Sequence, residues 1–261
     1  MPEILEVESY RRLADQLVGA TISRGWADAY AAQKLTSPSA WARAVKGLTI
    51  TATGRRGKLL IVDTTGPSLG VRFGMTGVLL LEGEAGIEGL FYGPHLFDAK
   101  WIRGGLEFRD GRKLVLHDPR RLARFEISPD LTHMGPDALT LTRKEFDAAL
   151  AAPRGEGPAI KARLLDQSKI AGVGNLLGDE ILYRAGIDPR TPCATLSADE
   201  RSRLFRAVRG TMNTLLRRGG SHTGDHMDAR FPGGLCAKDG GAMLIATIGG
   251  RTTYWCSVHQ R

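Results

Sequence analysis

The feature that most constrains this chain is a change of texture near residue 130. From about residue 46 to 127 the apolar residues fall in short runs cut by glycine: LLIVD, VRFGMTG, VLLLE, GLEFRDGRKLVLHD and ARFEI. Runs this short read as strands, and FRDGRKLVLH reads as a hairpin turning at Asp110-Gly111. Several strands so close together predict a sandwich or a barrel. The polar, proline-bearing stretch SPDLTHMGPDALTLT then marks a boundary near 128–142. Beyond it the apolar spacing becomes helical, in RKEFDAALAA, IKARLLDQ and NLLGDEILYRAG. A longer helix starts after Ser197, where SADE forms a capping box, and sets Leu204, Val208, Met212 and Leu215 on one face. Strands followed by helices, not alternating with them, predict an α+β chain.

The two ends add one element each. Val7, Tyr10, Leu13, Ala14, Leu17 and Val18 recur at three- and four-residue spacing, which predicts an amphipathic helix from Glu3 to Val18, stopped near Gly19. AMLIATIGGRTTYWC reads as a hairpin turning at Gly249-Gly250. Residues 220–235, rich in Gly and His, are expected to form a flexible loop. His222 and His226 have the spacing of a helical metal pair, but the glycines around them argue against a helix. No internal repeat or low-complexity segment is present.

Charge narrows the partners. The chain has 261 residues and a net charge of +8. Residues 151–261 carry 16 Lys and Arg against 10 Asp and Glu, whereas the first 150 residues carry 20 against 18. A basic second half suggests a polyanion. No apolar run reaches 18 residues and no charged-then-apolar leader is seen, so neither a membrane span nor a signal peptide is expected. The three cysteines, Cys193, Cys236 and Cys256, are too few for a disulfide scaffold and suit a reducing compartment, the cytoplasm by default. Cys193 reads as a small buried apolar residue.

Two stretches carry chemistry. The chain opens MPEILEVESY. Proline suits a first helical position and acids suit a first turn, so helix formation alone accounts for this opening. A second reading is nucleophilic: removal of Met1 would leave Pro2 as a free secondary amine beside the carboxylate of Glu3. An α-amine titrates near pH ~8, against about 10 for lysine, so more of it is unprotonated at neutral pH. In KIAGVGNLLGDEILYRAGIDP the turn AGVGN joins two helical segments. Gly172 and Gly174 permit close backbone approach, and Asn175 is placed to cap the second helix. A helix N-terminus entered through glycines offers a phosphate site, with Lys161 and Lys169 adding charge.

MPEILEVE, RRGK, FGMTG, HDPRR and IAGVGNLLGDEILYRAGIDP, in that order along the whole chain, resemble the motifs of the formamidopyrimidine-DNA glycosylase and endonuclease VIII family. The resemblance implies an N-terminal catalytic β-sandwich domain with a flanking helix over 1–130. It also implies a helical domain with a helix–two-turn–helix motif over 131–220, and a loop with a zinc-finger-like β-hairpin over 221–261. It further implies a bifunctional DNA glycosylase and abasic-site lyase of base excision repair. Such an enzyme acts as a monomer on duplex DNA carrying a damaged base or an abasic site, with no nucleotide cofactor.

By the same resemblance Pro2 matches the nucleophile that attacks C1′ and forms an imine, and Glu3 the acid that protonates the sugar ring oxygen. Glu6 matches a further active-site acid, and Lys58 a catalytic lysine that contacts phosphate near the lesion and assists the reaction. Met75, Arg120 and Leu122 match residues that fill the space left by an extruded nucleotide. Leu122 departs from the aromatic residue typical of enzymes for oxidised purines. Lys161 and Asn175 match phosphate-binding positions, and Arg251 matches the finger arginine.

The finger departs most from the family pattern of two C-x-x-C pairs. Here Cys236-x-x-Asp239 is followed by sixteen residues and then Cys256-x-x-His259. Either these four hold zinc, or the hairpin is zincless and packed around Leu244, Ile248 and Trp255. The 220–235 segment does not match the loop that closes over a flipped base, so base specificity is not implied. Three other readings stay open: the same chemistry on oxidised pyrimidines or bulky adducts, a non-catalytic nucleic-acid-binding protein, and a metal-dependent hydrolase using the His and Asp residues of 222–228.

Overall fold

The short apolar runs form strands, and the glycines between them make the turns. The computed structural model describes residues 1–32, 37–87, 97–152 and 155–261. They divide into two units, one of Met1–Pro2 with Glu6–Thr132, the other of Glu3–Leu5 with His133–Arg261.

The first unit holds most of α1 (Ile4–Asp15), then β1 (Ile22–Ala27), α2 (Pro38–Val45), β2 (Ile50–Arg56), β3 (Leu59–Thr64), β4 (Leu69–Arg72), β5 (Val78–Leu81), β6 (Glu84–Ala85), β7 (Ile102–Phe108), β8 (Lys113–His117) and β9 (Arg124–Ile127). Two antiparallel sheets result, in the orders β1-β7-β8-β5-β6 and β2-β3-β4-β9. One apolar cluster draws on both sheets (Leu106, Leu114 and Leu116 from one, Leu60, Val62, Val71 and Phe125 from the other), on Tyr10 and Ala14 of α1 and on Leu17 just after it. This is the predicted sandwich with its flanking helix.

Two turns follow from local chemistry. Between β7 and β8, Gly111 takes φ +89° while the Asp110 carboxylate accepts the Arg112 N–H at 3.1 Å, closing the expected hairpin. Arg56 pairs with Leu59 across β2 and β3, which leaves Gly57 and Lys58 as a two-residue turn; Gly57, at φ +55°, supplies the positive φ that its first position requires. Helix α1 ends earlier than its apolar spacing suggests, at Asp15, and the chain turns through Gly19 at φ +87°. Helix α2 was not anticipated. Its signal is present, since Ser37 caps it and Pro38 occupies its first turn.

The second unit contains α3 (Arg143–Leu150), α4 (Ile160–Leu165), α5 (Asn175–Ala185), α6 (Ala198–Arg218) and the hairpin β10 (Met243–Ile248) and β11 (Arg251–Cys256). Ser197 and Glu200 close the predicted capping box of α6: the Glu200 N–H donates to the Ser197 hydroxyl at 3.2 Å, and the Ser197 N–H to the Glu200 carboxylate at 2.8 Å. Leu204, Val208, Met212 and Leu215 of α6 then enter a core with Phe146, Leu164, Leu177, Ile181 and, from the chain start, Ile4 and Leu5. The terminal hairpin turns at Gly249 and Gly250, both with positive φ. Among the described residues no helix is long and apolar enough to cross a membrane.

Candidate active site

The turn AGVGN is built around the start of the chain. A Cβ on Gly174 would overlap the Glu3 carboxyl carbon and lie 2.6 Å from its Cγ, and a Cβ on Gly172 would lie 2.8 Å from Ile4 Cβ. With no side chain at either position, Glu3 sits at the N-terminus of α5. Its Oε2 accepts the N–H of Gly174 at 2.7 Å and of Leu177 at 3.2 Å, and its Oε1 accepts the N–H of Leu176 at 2.8 Å. Each hydrogen bond to a charged acceptor contributes about 1.5–3 kcal/mol, and the helix dipole adds to this. Glu3 is 1% exposed, and Pro2, its neighbour in the chain, is also buried.

This seat corrects two expectations. The N–H groups that sequence reasoning offered to phosphate are taken by a carboxylate of the chain itself. Asn175 does not cap α5 either: Gly174 occupies the cap position with no side-chain bond, and the Asn175 amide donates to the Thr252 carbonyl at 3.0 Å. A carboxylate brought in from far along the chain outcompetes the local cap.

Glu6 lies on α1 in the first unit, 1% exposed, where its charge adds to burial in pushing the Tyr10 phenol well above its ordinary pKa. Lys58 occupies the second position of the β2–β3 turn, half-buried. Arg55 ties that turn down, donating to Glu8 of α1 at 3.2 Å and to the Gly57 carbonyl at 3.0 Å.

The three void-filling candidates come together. Arg120 Nη1 lies 3.4 Å from the Met75 sulfur, and a Cβ on Gly74 would meet Leu122 Cβ at 2.6 Å. Met75 and Leu122 are 37% and 43% exposed, unusual for large apolar side chains. Asp118, fully buried, organises both loops. Its Oδ2 accepts the N–H of Leu122 at 2.6 Å and of Ala123 at 2.7 Å, while its Oδ1 accepts the Arg120 N–H at 3.1 Å and the Thr76 hydroxyl at 2.5 Å. Sequence reasoning saw HDPRR as a motif but missed Asp118 as the residue that shapes it.

The phosphate-contact candidates of the second unit differ in exposure. Arg251 is exposed beside the hairpin tip. Lys161 is fully buried, its ammonium 2.5 Å from Asp179 and donating to the Thr253 hydroxyl at 2.6 Å. Burial pulls its pKa below the ordinary lysine value, against the opposing charge of Asp179. Arg230 donates to the other oxygen of Asp179 at 3.0 Å. Asp179, which sequence reasoning passed over, thus holds α4, α5 and the 220–235 segment together beneath β11.

That segment is not the loose loop expected. It forms 3₁₀ turns at Ser221–Thr223 and Met227–Ala229 and is pinned by Glu180, whose carboxylate accepts the N–H of Asp225 at 3.0 Å and of His226 at 3.1 Å. His226 is 1% exposed, and burial pushes its pKa down to about 4. It is no surface partner for His222.

Cys236, Asp239, Cys256 and His259 offer ligand atoms all within 4.8 Å of one another, the one such cluster of three or more among the described residues. A tetrahedral zinc with bonds of about 2.0–2.3 Å sets its ligand atoms about 3.3–3.8 Å apart. Cys236 Sγ lies 3.6 Å from His259 Nδ1, within that range, and Cys256 Sγ 3.2 Å from Asp239 Oδ1, just under it. His259 Nδ1 and Asp239 Oδ2 pair directly at 2.7 Å and would part around an ion, so the four residues suit zinc by donor type. His259 Nε2 pairs with the Tyr183 carbonyl at 3.1 Å, which turns Nδ1 toward the cluster. The Gly241 N–H, above all, holds Asp239 down at about 2. Of the three residues around which a zincless hairpin would pack, Ile248 and Trp255 are buried and Leu244 is 40% exposed.

Residues 1–125 match the formamidopyrimidine-DNA glycosylase N-terminal domain and residues 134–226 the formamidopyrimidine-DNA glycosylase H2TH domain. The chain is 31% identical to the formamidopyrimidine-DNA glycosylase of Rhodopseudomonas palustris strain TIE-1, over 100% of both proteins. It is 33% identical to that of Geobacter metallireducens, over 98% of each. A solved complex between the LlFpg protein, a THF-DNA and an inhibitor superposes with a TM-score of 0.82 at 26% identity, over 100% of both chains. The chain is therefore a DNA glycosylase of base excision repair, of the kind that also has abasic-site lyase activity. It belongs to the formamidopyrimidine-DNA glycosylase and endonuclease VIII family.

Proposed function

We propose that this chain excises damaged bases from duplex DNA and cuts the strand through a covalent imine on Pro2. The observation that carries the proposal is the seat of Glu3: a carboxylate fixed by three backbone N–H groups, one residue from the amine that loss of Met1 exposes. The Pro2 nitrogen lone pair attacks C1′, and the glycosidic C1′–N bond breaks as the base leaves with a proton. Glu3, a carboxylate at the outset, takes the proton from the Pro2 nitrogen and passes it to O4′ as the C1′–O4′ bond opens, and an iminium remains between Pro2 and C1′. Loss of a C2′ proton expels the 3′-phosphate. Glu6 serves as a further acid of the site, and Lys58 grips phosphate near the lesion.

Met75, Arg120 and Leu122 enter the stack where the nucleotide leaves it. Arg251 and Asn175 contact backbone phosphate, and these contacts position the DNA without reading sequence. Lys161, buried on Asp179, acts in this scheme by bracing Thr252 and Thr253 beside Arg251. Cys236, Asp239, Cys256 and His259 would hold a structural zinc ion, which fixes the hairpin and takes no part in the chemistry. The three unbridged cysteines suit the cytoplasm. Leu122 is aliphatic and 43% exposed, and turnover on a panel of single-lesion duplexes carrying oxidised purines, oxidised pyrimidines or bulkier adducts would show which base the enzyme takes.

The test is borohydride trapping on a duplex with one abasic site, wild type against Pro2→Gly. A trapped complex whose peptide map places the link at residue 2 is expected. Wild-type protein that binds the duplex yet never traps would overturn the imine and leave a binding protein.

A further inference from the structure

Five arginines of the second unit have acid partners. Arg143 meets Asp147, Arg184 meets Glu180 and Asp225, Arg190 meets Asp188, Arg218 meets Asp225, and Arg230 meets Asp179. Arg201 and Arg203 donate to the backbone carbonyls of Leu196 and Ala185. On α6, Arg206, Arg209 and Arg217 differ. All three are exposed, and none of their side chains makes an ion pair or hydrogen bond among the described residues.

At helical spacing these three fall, with Asn213, on the side of α6 turned away from Leu204, Val208, Met212 and Leu215, which fill the core. The arrangement works against the helix. Arg203 and Arg206, like Arg206 and Arg209, are like charges three residues apart and repel. Arg206 and Arg209 also lie too far from the C-terminus of α6 to be relieved by its dipole. No described acid answers Arg206, Arg209 or Arg217. Capped by Ser197 and stopped at Gly219, α6 holds them on a rigid line. From Arg206 to Arg217 that line rises about 16 Å, at ~1.5 Å per residue. This is close to five phosphate steps of one DNA strand at about 3.4 Å each.

We propose that this face of α6 binds the phosphate backbone of duplex DNA, independently of the lesion site. The inference rests on reading the chain as a DNA-acting enzyme. Guanidiniums that contact phosphate bind without sequence preference, and these three give the enzyme a second hold on DNA while the first site is filled.

The test compares wild type with the Arg206→Gln, Arg209→Gln, Arg217→Gln variant. Each is trapped with borohydride on a short abasic duplex, and the trapped complexes are titrated with a labelled, undamaged duplex across a salt series. The wild-type complex is expected to capture the second duplex with a log–log salt slope of about −2 to −3, since each neutralised phosphate contributes about 0.9. The variant complex is expected to lose that capture, with single-turnover excision on the short duplex unchanged. The proposal is overturned by a wild-type complex that captures nothing, by a variant that captures equally, or by slowed excision, which would place the stripe in the lesion site. If wild type does not trap at all, the imine fails instead. Salt slopes of the free proteins on undamaged duplex then decide the stripe: a difference of about 2–3 supports it, and equal slopes refute it.

Discussion

Replacing Gly174 with alanine tests the seat of Glu3 directly. The residue sits at φ −118°, ψ −165°, extended backbone that alanine adopts without strain. Elsewhere such a change stabilises a protein by about 0.4–1 kcal/mol through the unfolded state. Here the new Cβ would lie 2.6 Å from Glu3 Cγ, where ordinary contact begins at 3.4 Å, so the side chain must withdraw. A withdrawal of about 1 Å breaks at least two of the three N–H bonds, each worth about 1.5–3 kcal/mol. After the gain from the unfolded state, a net loss of about 3 kcal/mol is expected, and with it a Tm lower by roughly 6–12 °C. A misplacement of that size also costs on the order of 100-fold in excision rate. Calorimetry and single-turnover excision measure the two effects. Gly210→Ala is the control: it lies within α6 with nothing within 4 Å of its Cβ, and should raise stability by about 0.5–1 kcal/mol. A Gly174→Ala protein with wild-type Tm and rate would refute the seat.

Asp118→Asn should lower stability by about 2–4 kcal/mol, because an amide N–H₂ would face backbone donors that now meet a carboxylate oxygen. Base excision should fall more than cleavage of a preformed abasic site, since only excision needs an intact base displaced; equal losses would argue against the wedge. His226 binds its proton only near pH about 4 when folded and near 6.5 when unfolded, so the unfolded chain holds more protons between those values. Stability is therefore lost as pH falls from 6.5 toward 4, by roughly 3 kcal/mol in all, and His226→Phe should flatten that part of the pH–stability curve relative to wild type. Metal analysis should find about one zinc per chain, removable by chelators with a fall in Tm. Asp239→Cys should retain the ion and Cys236→Ala should lose it; a metal-free wild type with unchanged Tm would show the hairpin to be zincless.

What was legible in the sequence is what neighbours decide. The SADE capping box, the turn at Asp110-Gly111 and the Gly249-Gly250 hairpin involve groups a few residues apart, and each forms as read. The period of LLIVD and its companions was enough for the sandwich. What stayed hidden depends on distance along the chain. Glu3 meets Gly174 across 171 positions, and nothing near Asn175 signals that its capping role is already filled. Asp179 and Glu180 were given no role from the sequence, yet both are 1% exposed, because their cationic and N–H partners arrive from α4 and from the 220–235 segment. Lys161 shows the same limit. The sequence placed it as a phosphate contact, and only the position of Asp179 shows it buried.

Helix α5 has a consequence for how such a chain can vary. Its first turn seats Glu3, its middle carries Asp179 and Glu180, and near its end Tyr183 reaches both Cys236, at 3.4 Å, and His259. Eleven residues are thus committed on almost every side. A substitution there disturbs a distant partner whichever way the side chain points, and a single compensating change seldom restores two contacts at once. In a saturation-mutagenesis library, α5 should tolerate the fewest replacements of any helix, while α6, with one side packed and one side open, should accept many. Drift along this lineage would then pass around α5 and leave it to be inherited as a block.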